Sequence, residues 1–286
     1  MHRFPWFGWL GLLLMGGGQV LTLWHLRPLS DYWYGLCWAG FFLAADAWVY
    51  RRSGRCLLRD RRADVGLMLV VSTATWWGLE LGNQTLQSWA YSASPDIPMW
   101  RQRLRSTLFF ATLIPATWAG LLAALTWRDW RGLTGRRRLA VGRGRQVALA
   151  TIGVGCLVAV PRHVDLGLGL VLLGLLLLLD PINHGRGRPS LLGQLARGDY
   201  RVPVLLPLAT MLTGVVGEMW NYPASPKWRY HVPLIDFWHV FEMPLLGFFG
   251  YGLLASTLFA VYHFARGLVL PLAPEGTDDA LSQSGL

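Results

Sequence analysis

The chain has 286 residues, 53% hydrophobic and 15% charged, with a mean hydropathy of +0.35. A water-facing domain carries about a quarter charged residues, so this composition excludes a soluble globular fold and points to an integral membrane protein. The net charge of +10 rests on 26 Lys+Arg against 16 Asp+Glu; the arginines sit in short loops between apolar runs, which reads as membrane topology and excludes a nucleic-acid surface.

A spanning helix needs about 20 mostly apolar residues. The first candidate, Pro5 to Leu26, follows the basic Arg3 as a signal peptide would. No small-x-small cleavage site follows and further spans do, so it reads as a retained first helix. Its glycines at 16 to 18 read as points of close helix packing. Next come Tyr32 to Tyr50, Val65 to Leu81 and Thr107 to Trp127. Val147 to Pro161 is short and turns through Pro161-Arg162-His163 into Val164 to Leu179; a re-entrant pair is the alternative for these two. Val202 to Trp220 and Phe237 to Ala265 complete eight spans, and residues 271–286 form a polar tail expected to be disordered.

The loops test this assignment. Counted with Arg3 and Arg266, the loops after the second, fourth and sixth spans hold 19 of the 26 basic residues. By the positive-inside rule that side is cytoplasmic, which puts both termini in the cytoplasm of a bacterial inner membrane. Asp46 and Asp180, beside the basic loops, are expected in salt bridges there, and the arginines should attract anionic lipid headgroups. Cys37, Cys56 and Cys156 are scattered and give no metal or disulfide framework.

The chain also reads as a duplicated unit. Asp46 with its basic run is matched by Asp180 with His184-Gly185-Arg186-Gly187-Arg188. Glu80-x-x-Asn83 is matched by Glu218-x-x-Asn221, Trp89-Ala90-Tyr91 by Trp228-Arg229-Tyr230, and Gly120-Leu121-Leu122-Ala123 by Gly252-Leu253-Leu254-Ala255. The expected fold is therefore all-α: a polytopic helical bundle of two parallel four-helix repeats, residues 1–145 and 146–270, related by an axis along the membrane normal.

Ionisable side chains in a membrane segment are functional candidates by default. Glu218 and Asn221 are three apart and share a helix face, as do Glu80 and Asn83; each pair can serve chemistry or pin the loop that follows. His239 and Glu242 are three apart at the expected start of the last span, where a carboxylate also suits the first helical turn. His239-x-x-Glu242 offers two metal ligands, with His231 and Glu218 as further donors, but no closed ligand set is legible and no metal is expected. Nothing in the sequence identifies a cofactor. There is no phosphate-binding glycine loop and no nucleophile motif.

The stretch Gly217 to Phe264, with E-x-x-N-Y, W-x-Y, F-E-x-P and a Gly/aromatic last helix, looks like a segment of uncharacterised bacterial membrane proteins. It is also similar to the lycopene cyclase-domain proteins, duplicated helical membrane units with an acidic helix end, an aromatic loop and a P-x-E-E helix start. Here a single Glu242 precedes Pro244 in place of the acidic pair. The resemblance implies an enzyme acting by acid catalysis on an isoprenoid- or carotenoid-like substrate. Glu242 would be the acid, Glu218, Asn221 and His239 its catalytic partners, and Trp220, Trp228, Tyr230 and His231 the substrate contacts. Two other readings stay open: a proton- or cation-coupled transporter using Glu80 and Glu218, and a non-catalytic subunit that binds lipid, pigment or a partner.

Overall fold

The computed structural model describes residues 2–26, 29–92 and 97–269; the tail expected to be disordered lies outside them. The long elements are all helices: α1 (Trp6–Leu23), α2 (Trp33–Ser53), α4 (Arg62–Leu86), α5 (Met99–Phe110), α6 (Leu113–Trp127), α7 (Arg143–Ala159), α8 (Gly167–Gly185), α10 (Arg201–Asn221) and α11 (Phe248–Val269). Two short helices, α3 (Leu57–Asp60) and α9 (Leu191–Arg197), follow α2 and α8. Among the described residues, strands are confined to β1 (Trp89–Tyr91), β2 (Trp228–Tyr230), β3 (His239–Val240) and β4 (Met243–Pro244). The molecule is an all-α polytopic bundle.

Among the described residues, seven helical stretches are long and apolar enough to cross a membrane: Trp6–Leu23, Arg62–Leu86, Met99–Trp127, Arg143–Arg162, Val164–Gly185, Arg201–Asn221 and Leu245–Val269. The remaining expected span corresponds to α2, 21 residues long, whose hydropathy is lowered by Asp46 and its Trp and Tyr residues. The fourth span is two helices. Ser72 bridges the break between them, its hydroxyl donating to the Phe110 carbonyl at 2.5 Å and accepting from the Ile114 amide at 3.1 Å. Pro115, early in α6, supplies no amide hydrogen of its own.

The helices of each half, α1–α6 and α7–α11, meet through recurring contacts. In the first, α1 crosses α2 where a Cβ on Gly11 would lie 2.6 Å from the Gly40 carbonyl oxygen. In the second, α7 crosses α8 where a Cβ on Gly153 would lie 2.8 Å from the Gly174 carbonyl oxygen. Dispersion gained by such close approach holds helices together where lipid offers no hydrophobic drive. Asp46 accepts from the amides of Leu57 and Leu58, at 2.8 and 3.0 Å, at the start of α3. Asp180 accepts from Leu191 and Leu192, at 2.8 and 2.9 Å, at the start of α9. These aspartates therefore satisfy orphan helix amides, where the sequence led us to expect arginine partners.

Two arginines of the basic loops have the converse task. Arg52 donates to the carbonyls of Thr126 and Trp127, both at 3.0 Å, ending α6; Arg188 donates to Phe264 at 3.2 Å and Gly267 at 2.7 Å, near the end of α11. The start of α10 is fixed by Asp199, whose carboxylate accepts the Arg201 amide at 3.0 Å. The halves lock through α6 and α11, where fully buried Trp118 stacks on Phe259 with centroids 5.5 Å apart and planes at 7°. Buried Asp64 of α4 adds a second tie, accepting from Tyr262 at 2.8 Å and Arg266 at 2.5 Å on α11.

Candidate functional site

At the end of the bundle opposite the arginine-rich loops, β1 and β2 pair antiparallel, with Trp89 opposite Tyr230 and Tyr91 opposite Trp228. Side chains alternate along a strand, so these four aromatics share a face while Ala90 and Arg229 take the other. Each strand is held by the asparagine of its own half. Asn83 donates from its amide to the Trp89 carbonyl at 2.8 Å and accepts from the Ser88 and Trp89 amides. Asn221 donates to the Trp228 carbonyl at 2.8 Å and accepts from the Trp228 amide at 3.0 Å.

The glutamates lie one turn below. Glu80 Oε1 accepts from the indoles of Trp76 and Trp89, both at 3.1 Å, and from the Tyr91 phenol at 2.5 Å. Glu218, with no exposed surface, accepts on Oε1 from the Trp228 indole at 3.0 Å and the Tyr251 phenol at 2.5 Å. Its Oε2 has no hydrogen-bond partner among the described residues. Tyr251 and Tyr230 share a hydrogen bond at 3.0 Å, so Glu218, Tyr251 and Tyr230 form a continuous line. Burial, and after it the Glu218 carboxylate, pushes the Tyr230 phenol well above the ordinary tyrosine range, which keeps its proton in place.

Beneath the ribbon the two halves enclose a cavity of about 410 Å³. Its wall takes Trp33, Tyr34 and Trp38 from α2, Trp76 from α4, Phe109 and Phe110 from α5, Gly214 and Gly217 from α10, and Tyr251 from α11. Trp89, Tyr91, Trp228 and Tyr230 of the ribbon also line it, and Trp33 stacks on Trp228 at 5.9 Å and 17°. An aromatic chamber with a few convergent polar groups is the usual form of a small-molecule site.

The residues singled out from the sequence divide between this chamber and its surroundings. Trp228, Tyr230 and His231 line it. Glu218 and Asn221 stand behind the wall, and Trp220 is buried against Trp38 at 5.3 Å. Glu242 and His239 are elsewhere. The expected helix start at Phe237 is instead an extended segment: β3 and β4 pair, Phe241 takes a left-handed φ of 60°, and α11 begins only at Phe248. Left-handed φ at Trp238 and Phe241 breaks any helix begun at Phe237, and Pro244 disfavours helix at Met243 before it.

Glu242 thus sits in a tight turn, paired with Lys227 and lying 3.5 Å from Arg229. His239 is exposed and bonds Asp236 at 2.9 Å. The two share no helix face, which removes the geometry behind a His-x-x-Glu ligand pair. Among the described residues no group of three His, Cys, Asp or Glu side chains is placed to hold a metal ion.

Sequence reasoning passed over Tyr251, the group that joins Glu218 to the chamber. Its signal was present: a phenol between Gly250 and Gly252 at the head of an apolar helix. No family model, curated protein or solved structure matches this chain.

Proposed function

We propose that this is a bacterial inner-membrane protein that admits a lipophilic, isoprenoid- or carotenoid-like molecule to the chamber between its halves and acts on it as an acid. The observation that carries this reading is the hydrogen-bonded line from buried Glu218 through Tyr251 to Tyr230, both phenols facing the chamber. Glu218 in its acid form is the net acid: one concerted shift carries a proton from Glu218 to Tyr251, from Tyr251 to Tyr230 and from Tyr230 to an alkene carbon, so neither phenol is left deprotonated. The alkene π pair becomes the new C–H bond, and the carbocation left behind is steadied by the faces of Trp33 and Trp228. Loss of a proton from a neighbouring carbon, returned along the same line, completes an isomerisation or cyclisation that needs no oxidant or reductant. The likeness of Gly217 to Phe264 to the lycopene cyclase-domain proteins supports the ligand class. Glu218 takes the role first given to Glu242, whose carboxylate is committed to Lys227.

In this reading the halves are copies of one unit, and the arginine-rich end with both termini faces the cytoplasm. Gly40 and Gly174 each stand six residues before the aspartate that caps the next short helix, and those caps fall at the same offsets of 11 and 12 residues. Reporter fusions at Gly54, Gly142 and Gly187 should report the cytoplasm and a fusion at Ser225 the exterior; the reverse result would overturn this topology.

The test of function compares lipid extracts from cells making the native chain, Glu218→Gln, Tyr251→Phe or Glu80→Gln. Expected is a lipophilic product with the native chain and Glu80→Gln that disappears in the other two at equal protein level. Identical extracts from native and Glu218→Gln cells would sink the acid reading. A transporter with paired proton sites is favoured by one observation, the matching indole bonds of Glu80 and Glu218. Under it, proton-coupled uptake into vesicles would fail equally in Glu80→Gln and Glu218→Gln.

A further inference from the structure

At the arginine-rich end, away from the chamber, the segment before α1 folds back over the end of α2. The His2 amide donates to the Arg51 carbonyl at 2.9 Å, and the His2 ring lies 5.4 Å from that of Tyr50. This leaves a groove with a trough of Phe7, Leu10 and Leu43 and a rim that carries Arg3, Arg59 and Arg62. All three arginines are exposed, and among the described residues none makes an ion pair. The Arg59 guanidinium rests over the Tyr50 ring at 4.6 Å, and Arg62 uses Nε on the Leu58 carbonyl at 3.0 Å. The one acid in this stretch of α3, Asp60, is turned to the Cys56 amide at 2.7 Å and does not line the groove. Arg52 and Arg188 each give two guanidinium nitrogens to helix-end carbonyls, whereas Arg62 gives Nε alone.

Three cations with no counter-charge among the described residues stand over an apolar trough, at the level where a helix that starts at Trp6 would leave the membrane core. Phosphate oxygens match guanidinium geometry, and an acyl chain matches the trough. We infer that the groove holds one anionic glycerophospholipid, its phosphate among Arg3, Arg59 and Arg62 and an acyl chain along Phe7, Leu10 and Leu43. The site is independent of the chamber and of the function proposed for it.

The test is native mass spectrometry of the full chain in a non-ionic detergent, titrated with phosphatidylglycerol or with phosphatidylcholine of the same acyl chains. One phosphatidylglycerol should stay bound where phosphatidylcholine does not. Each Arg→Gln change at 3, 59 or 62 should weaken it about fivefold, and the triple variant about a hundredfold. A control with Arg136, Arg137 and Arg138 changed to Gln loses the same charge elsewhere and should bind as the native chain does. All of these are exposed surface positions, so melting without lipid should be unchanged; a variant that melts differently is replaced by Arg→Lys at the same position, which should bind more weakly than Arg. The inference is overturned if the triple variant keeps native affinity or if the control weakens as much. It is equally overturned if phosphatidylcholine binds equally, or if inorganic phosphate at the lipid's concentration displaces it.

Discussion

Trp89 and Tyr230 face each other across the ribbon, as do Tyr91 and Trp228, so each strand presents the same aromatic pair to the other in reverse order. The pairing unites segments separated by more than a hundred residues and places all four rings on the chamber. Three-residue strands are far too short to persist unaided. What fixes them is the asparagine at the end of each preceding helix.

Replacing those asparagines should therefore loosen the ribbon unequally. Asn221 is fully buried, whereas Asn83 is half-buried. Asn221→Ala orphans the carbonyl and amide of Trp228 and should cost about 1–3 kcal/mol; Asn83→Ala should cost less. Thermal unfolding in detergent measures both, and equal losses would contradict the account.

The glycine contacts predict opposite signs on one helix type. Gly153→Ala puts a methyl 2.7 Å from the Leu178 amide nitrogen, a backbone atom that cannot swing aside, and should cost about 1–3 kcal/mol. Gly17→Ala meets nothing within 4 Å and should stabilise α1 by about 0.5–1 kcal/mol. The sequence expectation that all of the glycines at 16 to 18 mark close packing thus holds at Gly18, where an added Cβ would lie 2.7 Å from Cys37 Sγ, and not at its two neighbours.

Lys227 and Glu242 join the ribbon to the β3–β4 turn, and both are mostly buried. Glu242→Gln weakens a charged hydrogen bond and should cost about 1.5–3 kcal/mol. Hydrogen exchange should rise at residues 239–247 while the helices stay protected. A chain whose exchange is unchanged there would show that the pair holds nothing.

Burial alone would raise the Asp199 carboxyl, but its hydrogen bonds to Arg201 and that residue's charge outweigh burial and hold it below the ordinary aspartate range. A carboxylate with a lowered folded pKa contributes stability above its unfolded value of about 3.9 and loses it as pH falls through the folded value. Asp199→Asn should flatten the stability curve below about pH 4 and leave the rest of the acid limb intact. An unchanged acid limb would refute the coupling.

Much of this architecture was legible because lipid imposes strong rules. Apolar runs gave the helices, and the recurrence of Glu-x-x-Asn and Trp-x-Tyr marked the segments that close over the chamber. What stayed hidden depends on tertiary partners. Asp46 and Asp180 looked like ion-pair residues because arginines follow them, but each reaches past the arginines to a Leu-Leu pair that opens a short helix. Glu242 looked like a first-turn acid because aromatic residues precede it, and those residues are apolar enough to imitate a span. Tyr251 drew no notice because a phenol among glycines and leucines acquires meaning only when Glu218 lies opposite.

A strand that pairs with a second strand of its own pattern makes an isologous contact, the kind found across the two-fold axis of a homodimer. A unit with one Trp-x-Tyr strand can close the same ribbon with another molecule of itself, subject to concentration. Carried on one chain, the two strands meet at an effective concentration set by the residues between them. The join has a chemical consequence as well. In a homodimer every residue appears twice, so a phenol introduced beside one carboxylate appears beside both. In a single chain Glu218 takes its phenol from Tyr251 of α11 and Glu80 takes its phenol from Tyr91 of the ribbon, and the two carboxylates are free to differ in what they hold and release.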